Sequence, residues 1–161
     1  MRKPILPHLL TYGVSIFIPL LVGLLSSLIT MGNMDIYPTL KAPPLAPPAW
    51  LFPIVWTVLY ILMGVSCAMV LTNRHRDTVA AEKGIKLYAI SLVLNFTWSI
   101  IFFNKGAYLL ALVWLLLLLY TVVRTVICYR HVSLVAALLQ IPYILWLAFA
   151  AYLNGGIWLM N

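Results

Sequence analysis

Residues 37–64 read YPTLKAPPLAPPAWLFPIVWTVLYILMG, and the rest of the chain is organised around them. The stretch opens with Pro38, Pro43, Pro44, Pro47 and Pro48. Proline fixes φ and removes a backbone donor, so this density of prolines forbids an ordinary helix or a central strand and predicts a stiff, extended cover. Beyond Pro53 the pattern changes. Trp56, Tyr60 and Gly64 recur at four-residue spacing, which aligns them on one face of a helix. The two halves together predict the roof and one wall of a ligand pocket.

Composition decides the solvent. Of 161 residues, 65% are hydrophobic and 8% charged, with a mean hydropathy of +1.07. Soluble domains carry about 25% charge; this chain is an integral membrane protein. Cys67 and Cys128 are far apart in apolar surroundings and read as small buried residues, without a metal or disulfide role. The net charge of +7 comes from short basic clusters between apolar runs, not from a continuous basic face, so nucleic acid is not an expected partner.

Five apolar runs are long enough to cross a bilayer, at about 9–31, 50–72, 87–104, 107–129 and 132–153, with a proline-rich loop at 32–49. The first is too long for the apolar region of a signal peptide, and no small-residue cleavage site follows it, so it is read as retained. None of the runs alternates as a barrel strand would. The expected fold is therefore an all-α, single-domain bundle of five transmembrane helices. Basic residues set its orientation. Arg2, Lys3, Arg74, Arg76, Lys83, Lys86, Arg124 and Arg130 make eight on one side, against Lys41 and Lys105 on the other. The positive-inside rule then predicts a cytoplasmic N-terminus, with the C-terminus and the proline-rich loop outside.

In that orientation all six tryptophans fall in the outer half or at the outer surface. An interfacial belt accounts for Trp158 and suits Trp114. Trp56 and Trp146 lie deeper, beside polar-tipped or kinking residues, and point instead to a tryptophan-lined cavity. Polar residues inside spans are the second signal, because lipid offers them no hydrogen-bond partner. Ser91, Asn95 and Ser99 form one polar stripe beside Trp98. Asn95 reads either as interhelical glue or as part of a pocket wall. The fifth run carries Gln140, Pro142, Tyr143 and Trp146, then small Ala150 one turn on, with Asn154 beyond. Pro142 frees a carbonyl that Gln140 or Tyr143 is placed to satisfy. Pro19 and Gly23 should kink or thin the first helix.

Several chemistries have no residues to carry them. No charged side chain lies mid-membrane for a proton relay. His8, His75 and His131 sit near cytoplasmic ends, far from any axial ligation of a haem beneath the loop. Phosphate loops, hydrolase triads and carboxylate pairs are absent from the sequence. The segment Leu116–Arg124 fits a loose cholesterol-contact pattern that any leucine-rich helix satisfies.

Three blocks resemble the TspO/translocator-protein family, the tryptophan-rich sensory proteins related to the peripheral benzodiazepine receptor. They are PP-x-W-x-F-P-x-V-W-T-x-L-Y-x-L-M-G at Pro47–Gly64, L-N-x-x-W-S-x-x-F-F at Leu94–Phe103, and P-Y-x-x-W-x-A-F-A-x-x-L-N at Pro142–Asn154. The resemblance implies a five-helix bundle, a homodimer, and a pocket under the first loop for tetrapyrroles and aromatic drugs. Carried over by motif, its ligand-binding residues are Trp50, Trp56, Asn95, Trp98, Tyr143, Trp146 and Ala150. Leu40, Lys41 and Leu45 belong to the lid, with Leu40, Leu45 and Trp50 expected to anchor it over the bundle. The first loop departs from the family pattern: Ile36 and Leu45 stand at its tryptophan positions and Ala42 at its lysine, although Lys41 precedes it. The animal cholesterol motif is also missing, since no Lys or Arg follows Arg130.

The leading expectation is a bacterial plasma-membrane protein, rather than one of the mitochondrial outer membrane, that binds a porphyrin or haem-related tetrapyrrole for sensing or transport. No cofactor is required, and no metal is expected. The resemblance also implies an alternative, light- and oxygen-dependent porphyrin breakdown with Trp146 as the catalytic, redox-active indole. A third reading is a structural or assembly subunit.

Overall fold

A computed structural model describes residues 5–161, and every described element is helical. Arg2 and Lys3, part of the basic count, lie outside the described residues. The helices are α1 (Ile5–Thr30), α2 (Leu51–Asn73), α3 (Thr78–Ser99), α4 (Tyr108–Val132), α5 (Leu134–Leu139) and α6 (Ile141–Met160). Five segments among the described residues are long and apolar enough to cross a membrane, the last being α5 and α6 taken together. Continuous apolar sequence gives continuous helix because lipid satisfies no backbone group, so each span must bond internally.

Local chemistry sets the ends and breaks. Asp77 starts α3 by accepting the Ala80 backbone N–H at 2.9 Å. Ser133 likewise starts α5 by accepting from Ala136 N–H at 3.3 Å. The fifth span breaks at Gln140, just before Pro142, whose missing N–H and rigid ring prevent an uninterrupted helix. A π-helical turn at Ile100–Asn104 widens the end of α3, with the Lys105 N–H donating to Ile100 O at 3.2 Å. The proline-rich segment does not begin as open loop: Met31–Thr39 forms a 3₁₀ helix containing Pro38, and extended chain and turns follow.

α1 packs on α2, α3 on α4, and α4 on α6, while α2 meets α5 far more closely than α6. Gly64 lets α1 approach α2: a Cβ there would stand 2.5 Å from Ile16 Cα. The Ser66 hydroxyl donates to Ala136 O at 2.7 Å and fastens α2 to α5. The core between the spans holds Leu59, Met63, Leu115, Leu118, Tyr129 and Leu147. One end of the bundle, here the loop end, gathers residues 31–50, the α3–α4 turn and the final residues of α6. Asn33 and Asn104 bond across it at 3.0 Å, and Lys41 and Asn161 meet there.

Candidate ligand site

Aromatic side chains from α2 and α6 converge below the loop. Trp56 stacks on Tyr60 at 5.5 Å between ring centroids, the consequence of their i, i+4 spacing. Across the bundle, Trp56 and Tyr143 meet edge to face at 6.1 Å. Phe52 joins the loop to α6: its ring meets Tyr37 at 5.1 Å and Trp146 at 5.9 Å. Trp146 in turn meets Phe149 at 5.7 Å. Such pairs are each worth about 0.5–1.5 kcal/mol beyond area burial. A planar ligand can exchange them for contacts of the same kind.

Polar contacts hold this cluster at defined points. The buried Asn95 amide donates to the Tyr60 hydroxyl at 3.2 Å, linking α3 to α2. The Trp98 indole N–H donates to Asn154 Oδ1 at 3.3 Å, and Asn154 Nδ2 donates to Tyr108 O at 2.9 Å. Trp98 therefore ties α3 to α6 and α4, and it packs between the main core and a smaller cluster around Phe102 and Ile157. Among the described residues five buried side-chain atoms have no hydrogen-bond partner: the hydroxyls of Tyr88, Tyr129 and Tyr143, Gln140 Nε2 and Trp146 Nε1. Neither Gln140 nor Tyr143 therefore bonds a carbonyl freed by Pro142, and Tyr143 and Trp146 are the two that belong to this aromatic cluster. A buried donor left unpaired costs about 1–3 kcal/mol.

The loop closes over this end of the bundle. Asn161 holds Lys41 by two hydrogen bonds, accepting from its N–H at 3.1 Å and donating to its carbonyl at 2.9 Å. The Tyr152 hydroxyl donates to Pro44 O at 2.9 Å, and the Tyr37 hydroxyl donates to Pro47 O at 3.3 Å. Pro43 is buried, its ring pressed onto Gly156, where a Cβ would come within 2.5 Å of Pro43 Cγ. Only a residue without a side chain permits that approach.

Trp56, Tyr143 and Trp146 come together in the aromatic cluster, with Asn95 joined to it through Tyr60 and buried Ala150 one turn beyond Trp146. Trp98 stands at the side of the cluster, bound to Asn154. Leu40 packs onto the Phe102–Ile157 cluster and Lys41 is exposed above it. The expected anchoring by Leu45 and Trp50 is not what the structure has. Leu45 is 84% exposed at φ +69°, a turn conformation that carries its side chain away from the bundle, and Trp50 is 65% exposed at the first turn of α2. Pro43 fills the anchoring role. Its signal in the sequence was the Gly155–Gly156 pair that receives it.

Trp114 also has a partner on the neighbouring helix. Its indole N–H donates to Thr97 Oγ1 at 2.8 Å and lies 3.1 Å from Leu94 O, so it fastens α4 to α3. Tyr60 stands in the pocket wall that its spacing from Trp56 predicts, whereas Phe52, Phe149 and Asn154 are not among the expected ligand-binding residues; their part depends on partners from other helices. Cys67 and Cys128 are free and buried, and the described residues contain no group of three or more metal-ligating side chains.

A model of the TspO/MBR family matches residues 15–159. The chain is 41% identical over 156 residues to the tryptophan-rich protein TspO of Chlorobaculum tepidum, covering 96% of this chain and 98% of that protein. It is 36% identical over 145 residues to the translocator protein of Bos taurus, covering 89% and 86% respectively. The tryptophan-rich sensory protein of Cereibacter sphaeroides is 29% identical over 118 residues, covering 73% of this chain and 72% of that protein.

Proposed function

This chain belongs to the TspO/MBR family of multi-pass membrane proteins, and from that premise we propose that it binds planar hydrophobic ligands, porphyrins or related tetrapyrroles, for sensing or transport. The observation that carries the reading is that two of the five unpartnered buried polar atoms among the described residues, Trp146 Nε1 and the Tyr143 hydroxyl, lie together within one cluster of aromatic side chains. Rings supply stacking area for a macrocycle. Two donors without acceptors supply the polar complement for its nitrogen or oxygen atoms, and pairing them removes a cost the free protein bears. Lys41, exposed at the rim, is available to a ligand carboxylate for about 1 kcal/mol or less.

The proposal extends to a homodimer in a bacterial plasma membrane, with the N-terminus cytoplasmic and the loop outside. The basic count of eight against two supports the orientation. A porphyrin titration of the purified protein in nanodiscs, followed by the shift of the pigment's main absorption band, tests the reading. Saturable one-site binding is expected. Linear partitioning equal to that of empty nanodiscs would leave the tryptophans as structural residues.

A further inference from the structure

The lid and its ties close the loop end, yet the same aromatic cluster has a second approach. Between α2 and α6 a cleft of about 480 Å³ opens on the side of the bundle. Ile54, Val58 and Leu62 form one wall, and Leu145, Trp146 and Phe149 the other. Its origin is the break in the fifth span. Ser66 holds α5 against α2, and α5 and α6 both pack on α4, but beyond the break at Gln140 α6 keeps little contact with α2. The two helices that bound the cleft therefore share few contacts beyond Phe52–Trp146 and Trp56–Tyr143.

Depth selects what can occupy it. Leu62 lies eleven residues past Leu51, about 16 Å along the helix at 1.5 Å per residue, so the cleft sits within the hydrocarbon layer. Every side chain lining it is apolar. Water-soluble molecules do not reach this depth, whereas a solute dissolved among the acyl chains does. At the back of the cleft stands Trp146, half-buried, with one face toward the lipid side and its unpartnered N–H buried. Passage beneath the loop requires breaking the Asn161–Lys41 pair and the Tyr152–Pro44 bond and lifting Pro43 off Gly156. Passage through the cleft requires Trp146 to turn, which breaks no hydrogen bond of its indole.

We propose that the cleft between α2 and α6 is the entrance by which a planar hydrophobic ligand passes sideways from the bilayer to the aromatic site, with Trp146 as the door. The inference rests on the ligand-binding reading above. In this arrangement the loop is a fixed cap, and the ligand's route does not cross the aqueous phase.

The experiment measures porphyrin association and dissociation in proteoliposomes with the pigment preloaded in the bilayer, followed by porphyrin absorbance. Leu145→Trp and, on the opposite wall, Ile54→Trp fill the cleft at lipid-exposed positions where a larger side chain does not disturb the core. Each is expected to slow both rates at least tenfold while leaving the equilibrium constant within about threefold. A Pro43→Cys/Gly156→Cys protein, whose two Cβ positions face each other where the loop seats on α6, is oxidised so that a disulfide ties the loop down, and is expected to bind at the wild-type rate. If the disulfide blocks binding and its reduction restores it while the cleft variants bind at wild-type rates, the route runs under the loop and the entrance is refuted. A change of oligomeric state in either tryptophan variant would show that a second copy covers the cleft and would overturn the proposal. Wild-type protein that binds no porphyrin refutes the site itself; wild-type binding with unaltered rates in the filled variants refutes only the route.

Discussion

Replacing Gly156 by alanine adds one methyl group and should unfasten the loop. The new Cβ would stand 2.5, 2.7 and 2.9 Å from Cγ, Cβ and Cδ of Pro43. A pyrrolidine ring cannot rotate aside, so the loop must retreat by about 1 Å to restore a carbon–carbon separation of about 3.5 Å. The hydrogen bonds nearest that point do not survive such a shift: Lys41 N–H to Asn161, Asn161 to Lys41 O, and Tyr152 to Pro44 O, at 3.1, 2.9 and 2.9 Å. Bonds of this kind contribute about 0.5–1.5 kcal/mol each. These are exposed, so three together are worth about 1.5–3 kcal/mol of loop closure, or roughly 10- to 150-fold in the open population. Amide hydrogen exchange reads this directly, since Lys41 N–H is protected only while closed. Exchange at Lys41 should accelerate by that factor in Gly156→Ala, with α3 and α4 unchanged. Acceleration below twofold would mean that Pro43 does not seat the loop.

The Asn95–Tyr60 bond should register in a double-mutant cycle by reversible unfolding in mixed micelles. Asn95→Ala is expected to cost about 2 kcal/mol because it strands a buried phenol, with a coupling to Tyr60→Phe of about 0.6–1.7 kcal/mol; strictly additive effects would sever the pair. In the porphyrin titration, Trp146→Phe should bind within about tenfold of wild type, under about 1.4 kcal/mol, whereas Trp146→Ala should lose far more because the stacked area goes. Equal affinity for all three proteins would move the ligand elsewhere. For orientation, Lys105→Cys at the loop end should react with an impermeant thiol reagent in intact cells, while Glu82→Cys reacts only after lysis; the opposite pattern would invert the protein in its membrane.

Composition and the length of the apolar runs made the five spans legible, because a bilayer leaves an apolar segment of that length few alternatives to helix. The Trp56–Tyr60 face was legible for a local reason: residues four apart on a helix must be neighbours. Partners between helices were not. Asn95 finds Tyr60 35 positions away, and Trp98 finds Asn154 56 positions away, with nothing in either helix's own periodicity to name the other. Trp114's partner was hidden for the same reason, since Thr97 lies on the neighbouring helix. In the loop, hydrophobicity pointed to Leu45 as an anchor. Backbone geometry turned Leu45 outward, and the fit between a flat proline ring and a bare glycine chose Pro43.

The clasp between Asn161 and Lys41 bears on how the protein is handled at the bench. Any polypeptide joined after Asn161, an affinity handle or a fluorescent reporter, leaves the bundle beside the loop it would be used to study. Such a fusion pulls on the fastening itself, so loop exchange measured on it would describe the handle as much as the protein. The short turn at Arg74–Arg76 is exposed and lies at the opposite end of the bundle. A handle inserted there leaves the fastening untouched, and comparing the two placements would separate the loop's own motion from motion imposed on it.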